Sequence, residues 1–409
     1  MNKTQLLELI ASSENTCVQF KRDDCRPNEL AQEMSALLNL SGGFILLGVE
    51  NDGQITGLTR SRETVEKWAM DIALQNVQPA VIPVWTCITV TDEKTVGVIE
   101  LLSDRLGKPH KAKRGKAWVT FIRVGSTSRE STREEEGRLY QAAGLVRYEI
   151  KPVPDTGLES FDMDRIENYY GVVLGRTEPE QTNTARWEQL LLNSDFLVAN
   201  GTEFGASVSG LLLFGSNPNR RLPQAGVTAA AFPDLEKEYN TVDEERITGP
   251  LTSIVSEQGE AINKGVIDRT VDFVERNMGS VAWIDGGRRR HRNAFPIDAV
   301  REAIVNAVAH RDYTRDGTDI EVSLYRDRLE VISPGGLPNG VTVAKMKEGV
   351  VRVARNALLK EILRDYGYIE HYGMGVRNRI IASVRQHNGT EPELLDQESR
   401  FVVCIRKEP

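Results

Sequence analysis

A run of apolar positions with helical spacing extends from Arg301 to Tyr313, late in the chain. Within it Glu302, Asn306 and His310 are four positions apart, so they share one face of the predicted helix. The intervening aliphatic residues would bury the rest of that helix, so its polar face must meet solvent or a partner group. The spacing alone leaves open both a solvated polar stripe and a ligand-binding face.

Alternation and turn residues predict several elements after this helix. Two glycine-bearing segments lie between them, Ser333-Pro334-Gly335-Gly336 and Gly373-Met374-Gly375, and the second opens a helix whose first amides are available to phosphate oxygens. The predicted elements are a hairpin over Asp319–Ser333, helices over Val351–Tyr366 and Val376–Gln386, and a strand over Phe401–Ile405.

The first 145 residues have the pattern of a separate α/β domain. We predict a helix over Asn28–Leu40 and strands over Phe44–Val49, Cys87–Val90, Val96–Leu101 and Trp118–Val124. A proline-bearing linker at 151–154 then leads to a middle domain, 150–290, for which we predict a strand over Ala225–Phe232 and a helix over Ile254–Asn277. This middle domain has no recognisable set of catalytic residues, so its expected role is to connect the other domains or to dimerise. Residues 291–409 are predicted to form the third domain.

The composition favours a globular cytoplasmic protein. The chain has 409 residues, 40% of them hydrophobic and 27% charged, with a net charge of −8. No apolar run approaches the length of a membrane span, and the first residues lack the apolar core of a signal peptide. The four cysteines do not have zinc-site spacing, so free thiols are expected.

Basic residues are concentrated in one segment despite the acidic total. From Arg105 to Arg133 there are nine lysines and arginines and one acid, Glu130. Such an excess suits a phosphate backbone, and Trp118 and Phe121 offer stacking surfaces, although a solvated loop above packed aromatics fits the same pattern. A second cluster, Arg288 to Arg292, is either a contact to phosphates or an exposed linker. The candidate nucleic-acid-binding residues are Lys108, Lys111, Lys113, Arg114, Lys116 and Arg123.

The order of motifs in the C-terminal part resembles the Bergerat ATP-binding fold of gyrase, histidine kinases and MutL. More narrowly, Arg-Glu-Ala-Ile-Val-Asn-Ala-Val-Ala-His-Arg-Asp-Tyr, Ser-Pro-Gly-Gly-Leu-Pro and Ile-Glu-His-Tyr-Gly-Met-Gly look like the divergent ATPase domain catalogued with RecG-like helicases. ATP hydrolysis needs a carboxylate to activate water and a neutral oxygen to hold magnesium, which suit Glu302 and Asn306.

The resemblance also implies how the nucleotide would lie. Gly373 and Gly375 would admit the phosphates, His310 would belong to the nucleotide site, and Ser333, Gly335 and Gly336 would line the base pocket. In the wider superfamily an aspartate at this turn binds the adenine amino group. Ser333 and Pro334 stand there in this chain, so the choice of base stays open.

The N-terminal part looks like the AlbA-type domain of Schlafen proteins. The resemblance rests on Glu-Asn-Thr-Cys-Val-Gln-Phe-Lys, on Leu-Asn-Leu-Ser-Gly-Gly-Phe-Ile-Leu-Leu-Gly-Val-Glu-Asn-Asp-Gly and on Phe-Ile-Arg-Val-Gly-Ser. It implies nucleic-acid binding, and some relatives cut RNA with three carboxylates around a metal. Glu14 and Glu50 match two of them, with Asp52 a substitute for the latter, but Gln19 replaces the third. Metal-dependent cleavage is therefore less expected, and surface or capping roles for these acids stay open.

Together these observations predict an α/β (α+β) protein with an AlbA-type mixed sheet, a middle α/β domain and a Bergerat-type sandwich. The expected function is a nucleic-acid-binding regulator that binds and weakly hydrolyses ATP with Mg²⁺, as a homodimer or higher homo-oligomer without membrane contact. A metal-dependent endoribonuclease with a role in phage defence and a nucleotide-gated scaffold are the alternatives. A helicase is disfavoured because the chain has no Gly-x-x-x-x-Gly-Lys-Ser/Thr loop.

Overall fold

The computed structural model describes two compact units, Met1–Val146 and Arg147–Pro409. It describes all residues except 92, 104–106, 178–182, 286–287, 338–340, 350–353, 370–373, 398 and 408–409, and only the backbone at 134 and 281–290. Both units mix helices with strands, which confirms the predicted α/β class.

The first unit contains two four-stranded sheets, ordered β1-β2-β5-β4 and β3-β6-β7-β8. Parallel pairing of β1 with β2 sets Gln19 beside Ile45. Gly43, near the start of β2, has φ +152°, and a side chain there would overlap the Cys17 carbonyl. The helices are α1 (Lys3–Ala11), α2 (Pro27–Asn39), α3 (Arg62–Gln75) and α4 (Arg133–Ala142), and the strands are β1 (Val18–Lys21), β2 (Gly42–Leu47), β3 (Val77–Gln78), β4 (Val84–Thr91), β5 (Lys94–Leu102), β6 (Lys111–Arg114), β7 (Ala117–Val124) and β8 (Thr127–Glu130).

The second unit is built on a six-stranded sheet ordered β12-β11-β17-β18-β20-β19. Its helices are α5 (Met163–Asn168), α6 (Thr184–Asn193), α7 (Val208–Phe214), α8 (Val266–Asn277), α9 (Ile297–His310), α10 (Val343–Glu348), α11 (Ala357–Asp365) and α12 (Ser383–Asn388). Its strands are β9 (Leu197–Asn200), β10 (Glu203–Ala206), β11 (Val227–Ala231), β12 (Asp243–Ile247), β13 (Ile254–Val255), β14 (Ala261–Asn263), β15 (Ser280–Asp285), β16 (Arg288–Asn293), β17 (Ile320–Leu324), β18 (Arg328–Pro334), β19 (Glu393–Gln397) and β20 (Arg400–Arg406).

One hydrophobic core extends across this whole unit. It contains Val227 on β11 and Phe273 on α8 together with Ile304 on α9 and Ile405 on β20. Strand β11 pairs in parallel with β17, so residues expected in a middle domain complete the sheet of the C-terminal segment. The boundary predicted at residue 290 stays a prediction.

Two predicted elements of this unit are corrected. The helix predicted over Ile254–Asn277 is wrong in its first half, where β13 and β14 pair around a turn at Gly259 with φ +81°. Only α8 is helical, and it begins after the extended Gly265. The Arg288–Arg292 cluster, expected as a linker or a phosphate contact, lies on strand β16.

Candidate functional site

Helix α9 carries the polar face predicted from the spacing. Its aliphatic residues pack into the core, while Glu302, Asn306 and His310 line a single cavity with an empty volume of about 1040 Å³, its open mouth included. The lining, as far as the structure describes it, is Glu302, Ala303, Asn306, Ala307, His310, Val331, Ser333, Gly335, Gly336, Leu337, Val341, Met346, Lys360, Ile369, Gly375, Val376, Phe401 and Val403.

The N-terminal end of α9 meets the start of the helical segment that Gly375 opens. Asn306 Nδ2 donates a hydrogen bond of 2.8 Å to Glu302 Oε1, and the Glu302 residue is only 4% exposed. An added Cβ at Gly375 would overlap the Glu302 carboxylate, which would have to shift, so glycine permits this close approach. Since a carboxylate can only accept, the amide nitrogen of Asn306 faces it, and Asn306 Oδ1 is the atom available to a cation.

The C-terminal end of α9 meets the turn that follows β18. Ser333 Oγ donates 2.9 Å to the Ala307 carbonyl, so that hydroxyl hydrogen is used within the fold. Arg355 joins the helix to the turn, because its guanidinium donates to His310 O at 3.0 Å and to Gly336 O at 2.7 Å. Gly335 has φ +99°, and a side chain there would overlap Arg355.

His310 is electrically neutral at this end of the cavity. Burial, and to a smaller extent the charges of Lys360 and Arg355, lower the pKa of its imidazole from 6.5 to about 4. Its Nδ1 atom is buried and has no hydrogen-bond partner among the described residues. A buried polar atom in that state suits a ligand.

Lys360 is the lining residue that the sequence analysis missed. It projects from α11, where burial and the neighbouring Arg364 lower the pKa of its ammonium group. Its sequence context gave no signal, because Lys360 between Leu359 and Ile362 has the pattern of the polar face of an amphipathic helix. Gly373, the other expected phosphate contact, lies outside the described residues.

In the first unit, two of the candidate nuclease residues form a closed hydrogen-bonded cluster. Glu14 accepts from the Gln19 amide and from Phe20 N, and Gln19 Oε1 accepts 2.6 Å from Arg123 Nη1. Arg123 also pairs with Glu33 at 2.8 Å. A guanidinium therefore lies where the resemblance implied a metal.

The other two candidate nuclease residues belong to the turn after β2. Glu50 Oε1 lies 4.0 Å from Arg22 Nη1, and Asp52 Oδ1 accepts from Gln54 N at 2.9 Å. Within the described part of the chain, no cluster of three or more His, Cys, Asp or Glu residues has a geometry suited to a metal ion.

The six basic candidates of this unit fall into two environments. Lys108 and Arg123 are buried, with Lys108 donating to Asn39 O and Leu40 O, so both stabilise the fold and neither is accessible to a phosphate backbone. Burial lowers the pKa of Lys108 to about 8. Lys111 and Arg114 pair with Glu136 and Glu130.

The exposed hairpin of β6 and β7 carries the remaining two, Lys113 and Lys116. Trp118 is 39% exposed and lies directly opposite Lys113 in the strand register, so its ring and an ammonium group share one face. Phe121 is buried and is not a stacking surface.

Two family models match parts of the chain. Residues 14–132 match the family described as "Schlafen, AlbA_2", and residues 317–405 match the one described as "Putative ATP-dependent DNA helicase recG C-terminal". Both resemblances drawn from the sequence are confirmed. The second match covers Ser333, Lys360 and Gly375, whereas Glu302 and Asn306 precede it.

Solved structures give weaker likenesses. The crystal structure of the DIP2311 protein from Corynebacterium diphtheriae is 19% identical, with a TM-score of 0.44, over 99% of this chain and 80% of that one. The NMR structure of the N-terminal domain of a RecG-related protein from Nitrosomonas europaea is 21% identical, with a TM-score of 0.26, over 32% of this chain and 93% of that one. No curated protein gives a significant match. None of the described helices combines the length and apolar character needed to cross a bilayer.

Proposed function

We propose that the second unit binds a nucleoside triphosphate with Mg²⁺ in the cavity beside α9. The observation that carries this proposal is the convergence of Glu302, Asn306, His310, Ser333 and Gly375, which come from three separate segments, around one cavity. The match of residues 317–405 to an ATPase-like family supports the same conclusion. ATP is the ligand that the resemblance implies.

The donor set beside Gly375 fits magnesium. Asn306 Oδ1 is a hard oxygen ligand, because its amide nitrogen is turned to Glu302, and Mg²⁺ in nucleotide sites completes its shell with phosphates and water. The bound cation would supply charge stabilisation at the phosphates. The chain itself would position the phosphates at the helix start, with Glu302 accepting a proton from attacking water.

Calorimetric titration tests this site. Mg²⁺ with ATP, ADP and GTP is titrated into the wild type and into Asn306→Ala, with Asn240→Ala, in the exposed loop between β11 and β12, as the control. We expect binding to the wild type and the control, and a loss of at least tenfold in Asn306→Ala. Equal affinity in all three proteins, or no binding of any nucleotide to the wild type, would overturn the proposal. Glu302→Gln should retain binding and lose any hydrolysis.

We also propose that the first unit binds nucleic acid through the β6–β7 hairpin. Lys113 and Lys116 are exposed, Trp118 lies on the same hairpin, and residues 14–132 match an AlbA-type family. Most contacts would be to phosphates, with Trp118 stacking on a base of a single strand. The observation that carries this proposal is that two exposed lysines, Lys113 and Lys116, and an exposed indole, Trp118, lie on one hairpin.

Salt-dependent binding to single-stranded DNA and RNA tests this interface. Replacing Lys113 and Lys116 by Glu should reduce the slope of log affinity against log salt by about two. Lys67→Glu, an exposed lysine on α3, is the matched control and should leave the slope unchanged. An undiminished slope in the double variant would remove the hairpin from the proposal.

The two activities would be linked in a regulator. Nucleotide occupancy would change nucleic-acid affinity, and by thermodynamic linkage nucleic acid would change nucleotide affinity by the same factor. Titrating each ligand in the presence of the other measures both factors. Two independent sites would give no change in either direction. A homo-oligomer stays a prediction, which sedimentation with and without nucleotide would test.

A further inference from the structure

The cavity of the second unit extends along α9. Glu302 and His310 are eight residues apart on this helix, which is about 12 Å along its axis. Glu302 lies against Gly375, whereas Ser333 hydrogen-bonds to α9 near the His310 end. In the proposed binding mode Mg²⁺ is held at Asn306 and the base lies beside Ser333, so the phosphates nearest the ribose lie between these two places.

Helix α11 passes beside this part of the cavity. The residue before it, Asn356, is fixed at the C-terminal end of α9, because its side-chain amide donates to Ala309 O at 3.1 Å. Beyond the end of α11 the Tyr368 hydroxyl donates to Asp268, and the other oxygen of this carboxylate accepts from Arg301, in the first half of α9, at 2.7 Å. Between these two fixed points the chain therefore passes from the C-terminal end of α9 towards its first half.

Lys360 lies between the two fixed points and lines the cavity. It is four residues after Asn356, which is about 6 Å along α11, and Asn306 is likewise four residues before His310 on α9. A helical side chain leans toward the N-terminus of its own helix, so the side chain of Lys360 leans toward the His310 end. Its charge is one of the causes of the lowered His310 pKa, which agrees with this position. Lys360 therefore enters the cavity between the magnesium ligand and the turn that follows β18.

The charges of the cavity leave Lys360 available to an anion. Within the described lining Lys360 is the sole cation and Glu302 the sole carboxylate. Arg355, close to the same end, donates to two backbone carbonyls and is committed to the fold. Burial and the like charge of Arg364 lower the pKa of the Lys360 ammonium, and no carboxylate of the described residues raises it. Since the Mg²⁺ complexes of ADP and ATP remain anionic, a cation in this state suits their phosphates.

We propose that Lys360 binds the α- and β-phosphates of the nucleotide, a proposal that rests on nucleotide binding at this site. Its ammonium group has three donors and no acceptor, and it would donate to phosphate oxygens between the ribose and the Mg²⁺ at Asn306. Hydrogen bonds between ionised groups are about twice as strong as neutral ones. Lys360 would therefore set the affinity for the phosphate chain, without reading the base or the γ-phosphate.

Calorimetric titration of adenosine, ADP and ATP into the full chain, with Mg²⁺ present, tests this contact. In Lys360→Met we expect ADP and ATP to bind at least tenfold more weakly, the loss expected for a charge-assisted hydrogen bond, and adenosine to be unaffected. Lys360→Glu should weaken ADP and ATP further, whereas Lys360→Arg should retain most of the affinity. An order that follows the charge at position 360 would not arise from a purely structural role, and it can be measured on ADP and ATP alone.

Lys237→Met is the matched control. Lys237 is an exposed lysine of the same unit that pairs with Glu321 outside the described lining, so all three affinities should be unchanged. Equal weakening of adenosine, ADP and ATP in Lys360→Met would overturn the inference, because Lys360 would then support the pocket as a whole. Weakening of ATP alone would also overturn it, because Lys360 would then contact the γ-phosphate, and so would unchanged affinities in both Lys360→Met and Lys360→Glu. These three results leave the proposed function intact, whereas failure of the wild type to bind any nucleotide overturns the proposed function itself.

Discussion

The contact between Gly375 and Glu302 gives the sharpest test of the cavity geometry. Gly375 has helical backbone angles, with φ −54°, so the backbone accepts alanine and would gain about 0.5–1 kcal/mol from it. The added methyl group would overlap the Glu302 carboxylate, however, and such overpacking costs about 1–3 kcal/mol. The net expectation for Gly375→Ala is a loss of up to about 2 kcal/mol in the free energy of unfolding.

A double-mutant cycle isolates the contact. With Glu302→Ala in the background, the clash is absent and Gly375→Ala should be neutral or stabilising, which gives a coupling energy of about 1–3 kcal/mol. The assay is urea unfolding followed by circular dichroism on the four proteins. Gly137→Ala, on α4 with no neighbour within 4 Å of its Cβ position, should behave identically in both backgrounds.

Two results would refute this reasoning. Equal destabilisation by Gly375→Ala in both backgrounds would mean that Glu302 does not lie against the glycine. A stabilising effect in the wild-type background would mean the same. Either result would also remove the support that this contact gives to a phosphate site at the helix start.

Three further outcomes are expected. Arg123→Met should lower the free energy of unfolding by about 1–3 kcal/mol, because Gln19 and the carbonyls of Asn15 and Val18 lose their donor while Glu33 keeps Lys21. The exposed Lys116→Met should change it by less than about 0.5 kcal/mol in the same denaturation assay. Because the pKa of His310 is lower in the folded protein, the unfolded chain takes up a proton first as the pH falls. The free energy of unfolding should therefore fall by about 3 kcal/mol between pH 6.5 and pH 4. His310→Gln should flatten that part of a series of unfolding curves measured at different pH. Incubation with tRNA and manganese should give no cleavage that depends on Glu14, because that carboxylate already accepts from the Gln19 amide and from Phe20 N, and such cleavage on a denaturing gel would restore the ribonuclease alternative.

The periodicity of the sequence was sufficient to predict the polar face of α9. A helix has one geometry, so residues four apart must share a face, and Glu302, Asn306 and His310 do. The hairpin of β17 and β18 was also predictable from alternation. Its second strand brings Ser333 back to α9, where the Ser333 hydroxyl donates to the Ala307 carbonyl. Local rules therefore located most of the cavity wall that the structure describes.

The parts that could not be predicted depend on distant pairing. The helix expected from Ile254 failed at Gly259 and Gly265, where β13 and β14 pair instead. Lys360 has no partner nearby in sequence that would mark it as part of a cavity, and only the packing of α11 against the end of α9 brings it to His310.

Charge counts failed for a related reason. Nine basic residues between 105 and 133 predict one basic surface, but burial divides them, since Arg123 lies inside β7 and reaches Glu33 on α2 while Lys113 remains exposed on β6. Gln19 joins Glu14 to Arg123, because its amide nitrogen donates to Glu14 while its amide oxygen accepts from the guanidinium. A carboxylate at position 19 could accept from Arg123 but could not donate to Glu14, and it would place a second negative charge beside that residue. The link between the acid and the buried arginine therefore depends on the amide.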